Sequence, residues 1–295
     1  MTPPSLPITP ALEAQLRGWL AEDIGRGDLT AAALVGRTAQ AHWLAQAPGV
    51  LCGGPLAVAL FRLLDPQLEA RLLVADGEPL EAGQRLLELS GDGAALVAAE
   101  RTALNLVMRL SGIATATAAL VASLEGSGVR LADTRKTTPG LRVLEKYAAR
   151  CGGGVNHRLG LDDAAMLKEN HLAWSGGVAA AVAAVRAGAP WPARLIVEAE
   201  SEAEAVAAVR AGADAVLLDE FSPEALTALV PRLRVLARER AAGGGAADLM
   251  LEASGVAPDQ LAAYAASGID LISTSAAHTR SAWLDLSMRF APLLA

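Results

Sequence analysis

The sequence predicts an α/β protein whose C-terminal part is a β/α barrel short of its full complement of strands. Three observations carry this expectation. From Val129 onward short apolar runs alternate with helical stretches, the pattern of parallel strands joined by crossover helices. Several of these runs end in a polar residue, as barrel strands do where their C-termini share the face that carries the chemistry. The region offers six or seven strands, fewer than the eight of a closed barrel.

The N-terminal part reads differently. A helix is expected over roughly Ala11–Ala21, followed by the turn-rich EDIGRGDLT and short β-like runs such as AHWLAQ and ARLLVADG. DGEPLEAGQRLLELSG alternates glycines and apolar residues as small sheets do. From Ala94 the pattern becomes helical for roughly two to three turns through AALVAAERTALNLVMRLSG, where recurring small residues favour close helix packing.

The barrel strands are expected at VRLADT (129–134), AAMLKEN (164–170), ARLIVEAE (193–200), DAVLLDE (214–220), DLMLEAS (248–254) and DLISTS (270–275). A weaker seventh falls around Gly154–His157. VAAAVAAV at 178–185 reads as a helix interior. EAEAVAAVRAGA and PDQLAAYAASG read as helices with Gly212 and Gly268 near their C-caps. AAGGGAAD (241–248) is expected to be a loop within this region and not a linker. The polar strand ends are Asp133, Lys168, Glu198, Asp219, Glu252 and Ser273.

Composition removes several function classes. A net charge of −7 and a pI near 5.2 argue against a partner held by phosphate neutralisation. Aromatic residues at 3% leave little for base stacking. Hydrophobic residues make up 53%, but much of this is alanine, and no stretch reaches the roughly 18–20 uninterrupted apolar residues of a spanning helix. The N-terminus has no basic segment followed by an apolar core, so a cytoplasmic location is expected, with no membrane and no nucleic-acid partner. Cys52 and Cys151 are too few for a disulfide framework and lack metal-ligand spacing; packing is the expected role of Cys151.

The densest chemical signal is cationic: Arg101, Arg135, Lys136, His157, Arg158, Lys168 and His171, at helix and strand ends in an otherwise acidic chain. Each alone reads as an ordinary surface charge. As a set at strand tips they call for a multiply charged anion, arginine giving bidentate carboxylate geometry and lysine a mobile point charge. Glu198 and Asp219 close successive strands. They suit either capping and neutralising lysine or gripping ribose hydroxyls and Mg²⁺, since hard cations prefer carboxylate oxygens. Ser254-Gly255 and Ser273-Thr274-Ser275 are small-residue loops after late strands, either plain turns or phosphate cradles built from backbone N–H groups. No Ser-His-Asp or reactive-cysteine arrangement is visible.

The runs AERTALNLVMRLSGIAT and DTRKTTPGLRVLEKYAARCGGGVNHRLGLDDAAMLKENH resemble quinolinate phosphoribosyltransferases. EDIGRGDLT, VLLDEFSPEAL and LEASG extend the resemblance over nearly the whole chain. Molybdenum-associated paralogues usually carry a different residue pair after TRK. The resemblance implies an N-terminal α/β sandwich over 1–112, with 277–295 packed back on it, and a catalytic incomplete β/α barrel over 113–276. It also implies an active site at a subunit interface, in a homodimer or a trimer of dimers. Carried over by position, Arg101, Arg135, Lys136, His157, Arg158 and Lys168 would surround the quinolinate carboxylates. Glu198 and Asp219 would hold the ribose of phosphoribosyl pyrophosphate and its Mg²⁺. Ser254, Gly255 and Ser275 would receive the 5′-phosphate, and Lys136, Lys168, Glu198 and Asp219 would be catalytic.

The expected reaction is phosphoribosyl transfer to quinolinate with decarboxylation. The alternatives are a paralogue with another acceptor, such as a molybdenum-pathway protein or a nicotinate transferase, and a weakly active quinolinate-binding protein. Three positions depart from the family. Val256 stands where a second glycine usually follows LEASG, with one residue missing. Ser275 and Thr279 replace a glycine and a histidine, His278 being one place early. Glu220 replaces the asparagine of LLDN.

Overall fold

The computed structural model describes residues 4–244 and 248–291. It divides into two compact units: residues up to Ala118 with Leu144–Gly153 and the segment from Arg280, and Ala119–Val143 with Gly154–Thr279. The division falls inside one continuous helix, Gly93–Ala122, and assigns Leu144–Gly153 to the first unit.

The first unit is built on a four-stranded antiparallel sheet in the order Leu286–Phe290, Thr38–Ala45, Arg85–Asp92, Glu69–Leu72. Along Thr38–Ala45 the side chains alternate, burying Ala41, Trp43 and Ala45, as a strand with one face on the core requires. Trp43 meets Phe61 of helix Gly54–Leu64 edge-on, with centroids 6.1 Å apart. The first helix runs Pro10–Ile24, with Pro10 at its first position. Thr9 caps it by accepting the Leu12 N–H at 3.2 Å, and Leu12, Leu16 and Leu20 form its buried stripe.

The Asp76 carboxylate closes the N-terminus of helix Gly54–Leu64. It accepts the N–H groups of Gly53 and Gly54, each at 2.9 Å, and the Tyr147 hydroxyl at 2.8 Å. An anion is favourable there because the helix end is partly positive.

Helix Gly93–Ala122 has 30 residues, far more than the two to three turns expected. The apparent stop, Ser111-Gly112, lies mid-helix. A Cβ on Gly112 would stand 2.0 Å from the Ala282 carbonyl oxygen, so this glycine permits close approach and does not end the helix. By length and composition the helix is apolar enough to cross a membrane, although Glu100 and Arg101 interrupt its apolar run, so no uninterrupted stretch of spanning length occurs in it. Its full burial of Leu96, Ala99, Ala103, Val107, Leu110, Ile113 and Ala114 marks it as a core helix.

The second unit holds six parallel strands: β1 (Arg130–Ala132), β2 (Ala165–Leu167), β3 (Leu195–Ala199), β4 (Ala215–Asp219), β5 (Met250–Ser254) and β6 (Leu271–Ser273). Their order is β1-β6-β5-β4-β3-β2, a barrel sequence opened between β1 and β2. The expected seventh strand amounts to a single parallel bridge on the open edge of β1. There Val155 donates to Leu131 O at 2.8 Å and accepts from Asp133 N at 3.1 Å.

Crossover helices Val178–Gly188, Glu202–Ala211 and Pro223–Ala242 follow β2, β3 and β4. Ser201 and Ser222 cap the latter two, accepting from Glu204 and Ala225, and Gly212 takes the left-handed C-cap at φ 92°. Gly268 is not a cap, because its helix closes earlier, at Leu261–Ala265 with Ala266 as C-cap. Of the expected 241–248 loop, Ala241 and Ala242 are still helical, and 245–247 lie outside the described residues.

Candidate active site

Strand parity builds the site. Leu195, Val197, Ala199, Val216, Leu218, Leu251 and Ala253 face outward into the main core cluster with the crossover helices. The alternate residues Met166, Ile196, Ala215, Leu217 and Met250 form a separate, smaller apolar cluster inside the barrel. Continuing the inward parity toward the strand C-termini gives Lys168 after Met166, Glu198 after Ile196, Asp219 after Leu217, and Glu252 then Ser254 after Met250. The apolar plug is thus overlaid by polar groups at the C-terminal mouth.

There lies a cavity of about 370 Å³, lined by Thr134, Arg135, Lys136, Arg142, His157, Arg158, Met166, Lys168, Glu198, Leu217, Glu252, Ser254 and Ser273. Residues from all six strands or the positions just past them reach it, so the open sheet is curled enough for its two edges to share one pocket.

Arg135 and Lys136 follow β1, with the Lys136 N–H donating to Thr134 Oγ1 at 3.0 Å. Asp133, buried at the end of β1, accepts the His157 N–H at 2.8 Å and the Asn156 side-chain amide at 2.7 Å, pinning the segment that carries Arg158. Arg158 donates through its guanidinium to Ala164 O at 3.1 Å. Burial first, and the nearby charge of Arg135 second, hold the Arg158 guanidinium below its ordinary pKa, against a smaller opposing pull from Glu198. Two guanidiniums sharing a partly desolvated pocket favour an anion between them.

Lys168 pairs with Glu198, whose carboxylate is buried. Asp219 Oδ1 accepts the Ser254 hydroxyl at 2.7 Å. Glu200, with Glu169, Glu204, Asp219 and Glu198 around it, has its carboxyl raised above the usual range by desolvation first and then by these like charges. Glu169, Glu198 and Glu200 can each bring one oxygen within 4.8 Å of the others. This donor set fits a hard cation such as Mg²⁺, which binds through one or two carboxylates and otherwise keeps water or phosphate oxygens.

Arg135, Lys136, His157, Arg158, Lys168, Glu198 and Ser254 therefore line one cavity, with Asp219 bonded to Ser254. Gly255 follows at φ 74°, exposed. Ser275 starts the short helix Ala276–Arg280, its carbonyl accepting from His278 N at 3.0 Å and Thr279 N at 2.9 Å. Arg101 is exposed on helix Gly93–Ala122 of the first unit. His171 does not line the cavity; its Nδ1 accepts the Lys168 N–H at 3.1 Å, capping the helix Glu169–Trp174.

The cation and acid patterns did not single out Glu252, Arg142, Met166 and Leu217. The inward alternation Met250, Glu252, Ser254 was the signal that would have found Glu252. At the departures from the family, Val256 is buried in the core and Glu220 has φ 58°, the one non-glycine residue with positive φ among the described residues.

Family models for the N-terminal and C-terminal domains of quinolinate phosphoribosyl transferase match residues 28–111 and 113–289. A probable nicotinate-nucleotide pyrophosphorylase [carboxylating] of Synechocystis is 42% identical over 286 residues, 96% of this chain and 94% of the relative. The human nicotinate-nucleotide pyrophosphorylase [carboxylating] is 39% identical over 289 residues, 96% and 92% of the two chains. The crystal structure of NadC from Streptococcus pyogenes superposes with a TM-score of 0.87 at 36% identity, over 97% of this chain and 98% of that one.

Proposed function

The chain belongs to the quinolinate phosphoribosyl transferase family, and we propose from that premise that it joins phosphoribosyl pyrophosphate to quinolinate. The products are nicotinate mononucleotide, CO₂ and pyrophosphate, a step of NAD biosynthesis. The observation that carries this reading is the pocket in which Arg135, Lys136, Arg158 and Lys168 surround a cavity also lined by Met166 and Leu217. A flat apolar ring bearing two carboxylates matches both halves of that lining.

In this reading the cations pair the two carboxylates and aim the pyridine nitrogen at C1 of the ribose. The nitrogen lone pair forms the new C–N bond as the bond from C1 to pyrophosphate breaks. The ring nitrogen, now positive, stabilises the electron pair left on C2 when the 2-carboxylate departs as CO₂, and a proton from solvent then adds to that carbon through this pair. Fixed positive charges and orientation supply the acceleration. Lys136 and Lys168 act on the acceptor; Glu198 and Asp219 hold the ribose hydroxyls. Glu198, with Glu169 and Glu200 close to it and Asp219 on the next strand, would hold Mg²⁺, which would neutralise charge on the pyrophosphate. Ser254, Gly255 and Ser275 take the 5′-phosphate. Arg101 is assigned to the partner subunit's site in a homodimer, and the location is cytoplasmic.

Formation of nicotinate mononucleotide from quinolinate, phosphoribosyl pyrophosphate and Mg²⁺ tests the reading. Nicotinate should give no detectable product, because losing one carboxylate leaves the half-buried cations Arg135, Arg158 and Lys168 short of a partner, a loss of about 1–3 kcal/mol for each buried bond left unmade. Comparable rates with both acids, or quinolinate binding without turnover, would overturn it. For the shared site, inactive Arg101→Ala and Lys136→Ala homodimers should regain roughly a quarter of wild-type activity on subunit exchange, since one site of each mixed dimer is intact. No recovery despite exchange would place the whole site in one chain.

A further inference from the structure

The resemblance places His157 against the substrate, but its ring is already engaged. Nδ1 accepts the backbone N–H of Arg158 at 2.7 Å, which leaves the ring proton on Nε2. Nε2 faces Glu252 Oε2 at 3.2 Å, and the two side chains are 9% and 2% exposed. Glu252 comes from the middle of β5 and points inward, whereas His157 follows the one-residue bridge on the outer edge of β1. The pair therefore reaches past β1 and β6 and ties the segment outside β1 to β5 at the mouth. Glu252 Oε1 is buried with no hydrogen-bond partner among the described residues, so the carboxylate depends on its contact with His157. On its other side the imidazole fixes the peptide that launches Arg158, whose guanidinium is steadied by Ala164 O.

We infer that Glu252 and His157 are positioning residues: a buried carboxylate–imidazole strut that sets where Arg158 presents its guanidinium to the acceptor's carboxylate. This rests on the quinolinate reading. Glu252 touches no reacting atom in this scheme. It orients the imidazole, as carboxylates orient histidines elsewhere, and the imidazole orients the arginine. Its signature belongs to acceptor affinity and not to donor binding.

The test uses Glu252→Met, which keeps length and packing but removes the acceptor for Nε2–H, and Glu252→Gln, whose amide oxygen retains it. Glu252→Met should raise the quinolinate KM about 10-fold, the scale of one lost buried hydrogen bond. The donor KM should stay within about twofold, and Glu252→Gln should recover most of the loss. His157→Ala should match Glu252→Met, and the double variant should be no worse than either single change, because the two act as one unit. Losses that multiply to about 100-fold, or a His157→Ala loss far exceeding that of Glu252→Met, would mean that His157 meets the substrate directly and would overturn the strut.

If Glu252→Met fails to fold, ¹⁵N spectra of the wild-type imidazole decide the matter. Nε2 should carry the proton both free and saturated with quinolinate, and a shift of the proton to Nδ1 on binding would overturn the inference. Wild-type turnover is the control. Without it the functional reading fails; with it, an unaltered Glu252→Met defeats only the strut.

Discussion

Replacing Gly112 by alanine sets two effects of known size against each other. Within a helix, alanine is favoured over glycine by about 1 kcal/mol. Here the added Cβ would lie 2.0 Å from the Ala282 carbonyl oxygen, 3.0 Å from its carbon and 3.1 Å from Trp283 Cα. Close C–H···O contacts stand at about 3.3 Å, so one backbone would have to yield by about an ångström. Backbone atoms have no rotamer into which to retreat, and overpacking of this kind costs about 1–3 kcal/mol, here toward the upper end. The clash wins, leaving a net loss on the order of 2 kcal/mol. At about 2–4 °C per kcal/mol for large domains, that is a fall in Tm of roughly 4–8 °C. Gly18 is the internal control. It sits exposed in helix Pro10–Ile24 with nothing within 4 Å of a Cβ, so Gly18→Ala should stabilise by about 0.5–1 kcal/mol. Both glycines lie in the first unit, so calorimetry and urea unfolding followed by circular dichroism compare like with like. A Gly112→Ala protein as stable as wild type, or the same sign for both variants, would refute the close-approach explanation.

Other positions give equally specific expectations. Glu220 holds φ 58°, which asparagine and glycine tolerate better, so Glu220→Asn should raise stability by about 0.5–1 kcal/mol in thermal unfolding; a loss would show that the glutamate side chain compensates the strain. Tyr147→Phe deletes one of three bonds to the buried Asp76 carboxylate and should cost about 1.5–3 kcal/mol in urea. Burial first and the Asp76 charge second push the Tyr147 hydroxyl far above the usual tyrosine range. An unfolded tyrosine ionises near about pH 10, so the contribution is complete below that pH and lost as pH rises beyond it. The alkaline fall in stability should therefore flatten in Tyr147→Phe, and an unchanged limb would assign it to other groups. Cys52 and Cys151 are both buried, and burial raises the Cys52 thiol further, so a chromogenic disulfide reagent should find neither thiol in the native protein and both after denaturation. Rapid native labelling of either would contradict the packing.

The strands were legible because each is a short apolar run that closes in polar residues, and Lys168, Glu198, Asp219 and Glu252 lie on the inward side that strand parity gives them. The long helix was misjudged because a glycine that avoids a clash and one that ends a helix look alike in one dimension, and only the approach of Ala282 separates them. Gly268 misled in the same way. The pairing of His157 with Glu252 joins residues far apart in sequence, and the convergence of Cys52 and Cys151 beside Asp76 does so too; neither leaves a local pattern. Charge arithmetic found the cations but overcounted them, since nothing in its composition distinguishes His171, which caps a helix, from a residue facing the pocket.

The alternation that sends Met250, Glu252 and Ser254 inward and Leu251 and Ala253 outward also governs which changes in chain length the barrel tolerates. A single residue gained or lost inside β5 would exchange the two sets, sending a carboxylate among the helices and a leucine into the mouth. The same edit one step beyond Ser254 leaves every strand residue on its own side. There, after Gly255, Val256 is tucked into the core. Side chains written on strands are thus locked to a fixed reading frame. The loops above them can lengthen or shorten without disturbing what lies below.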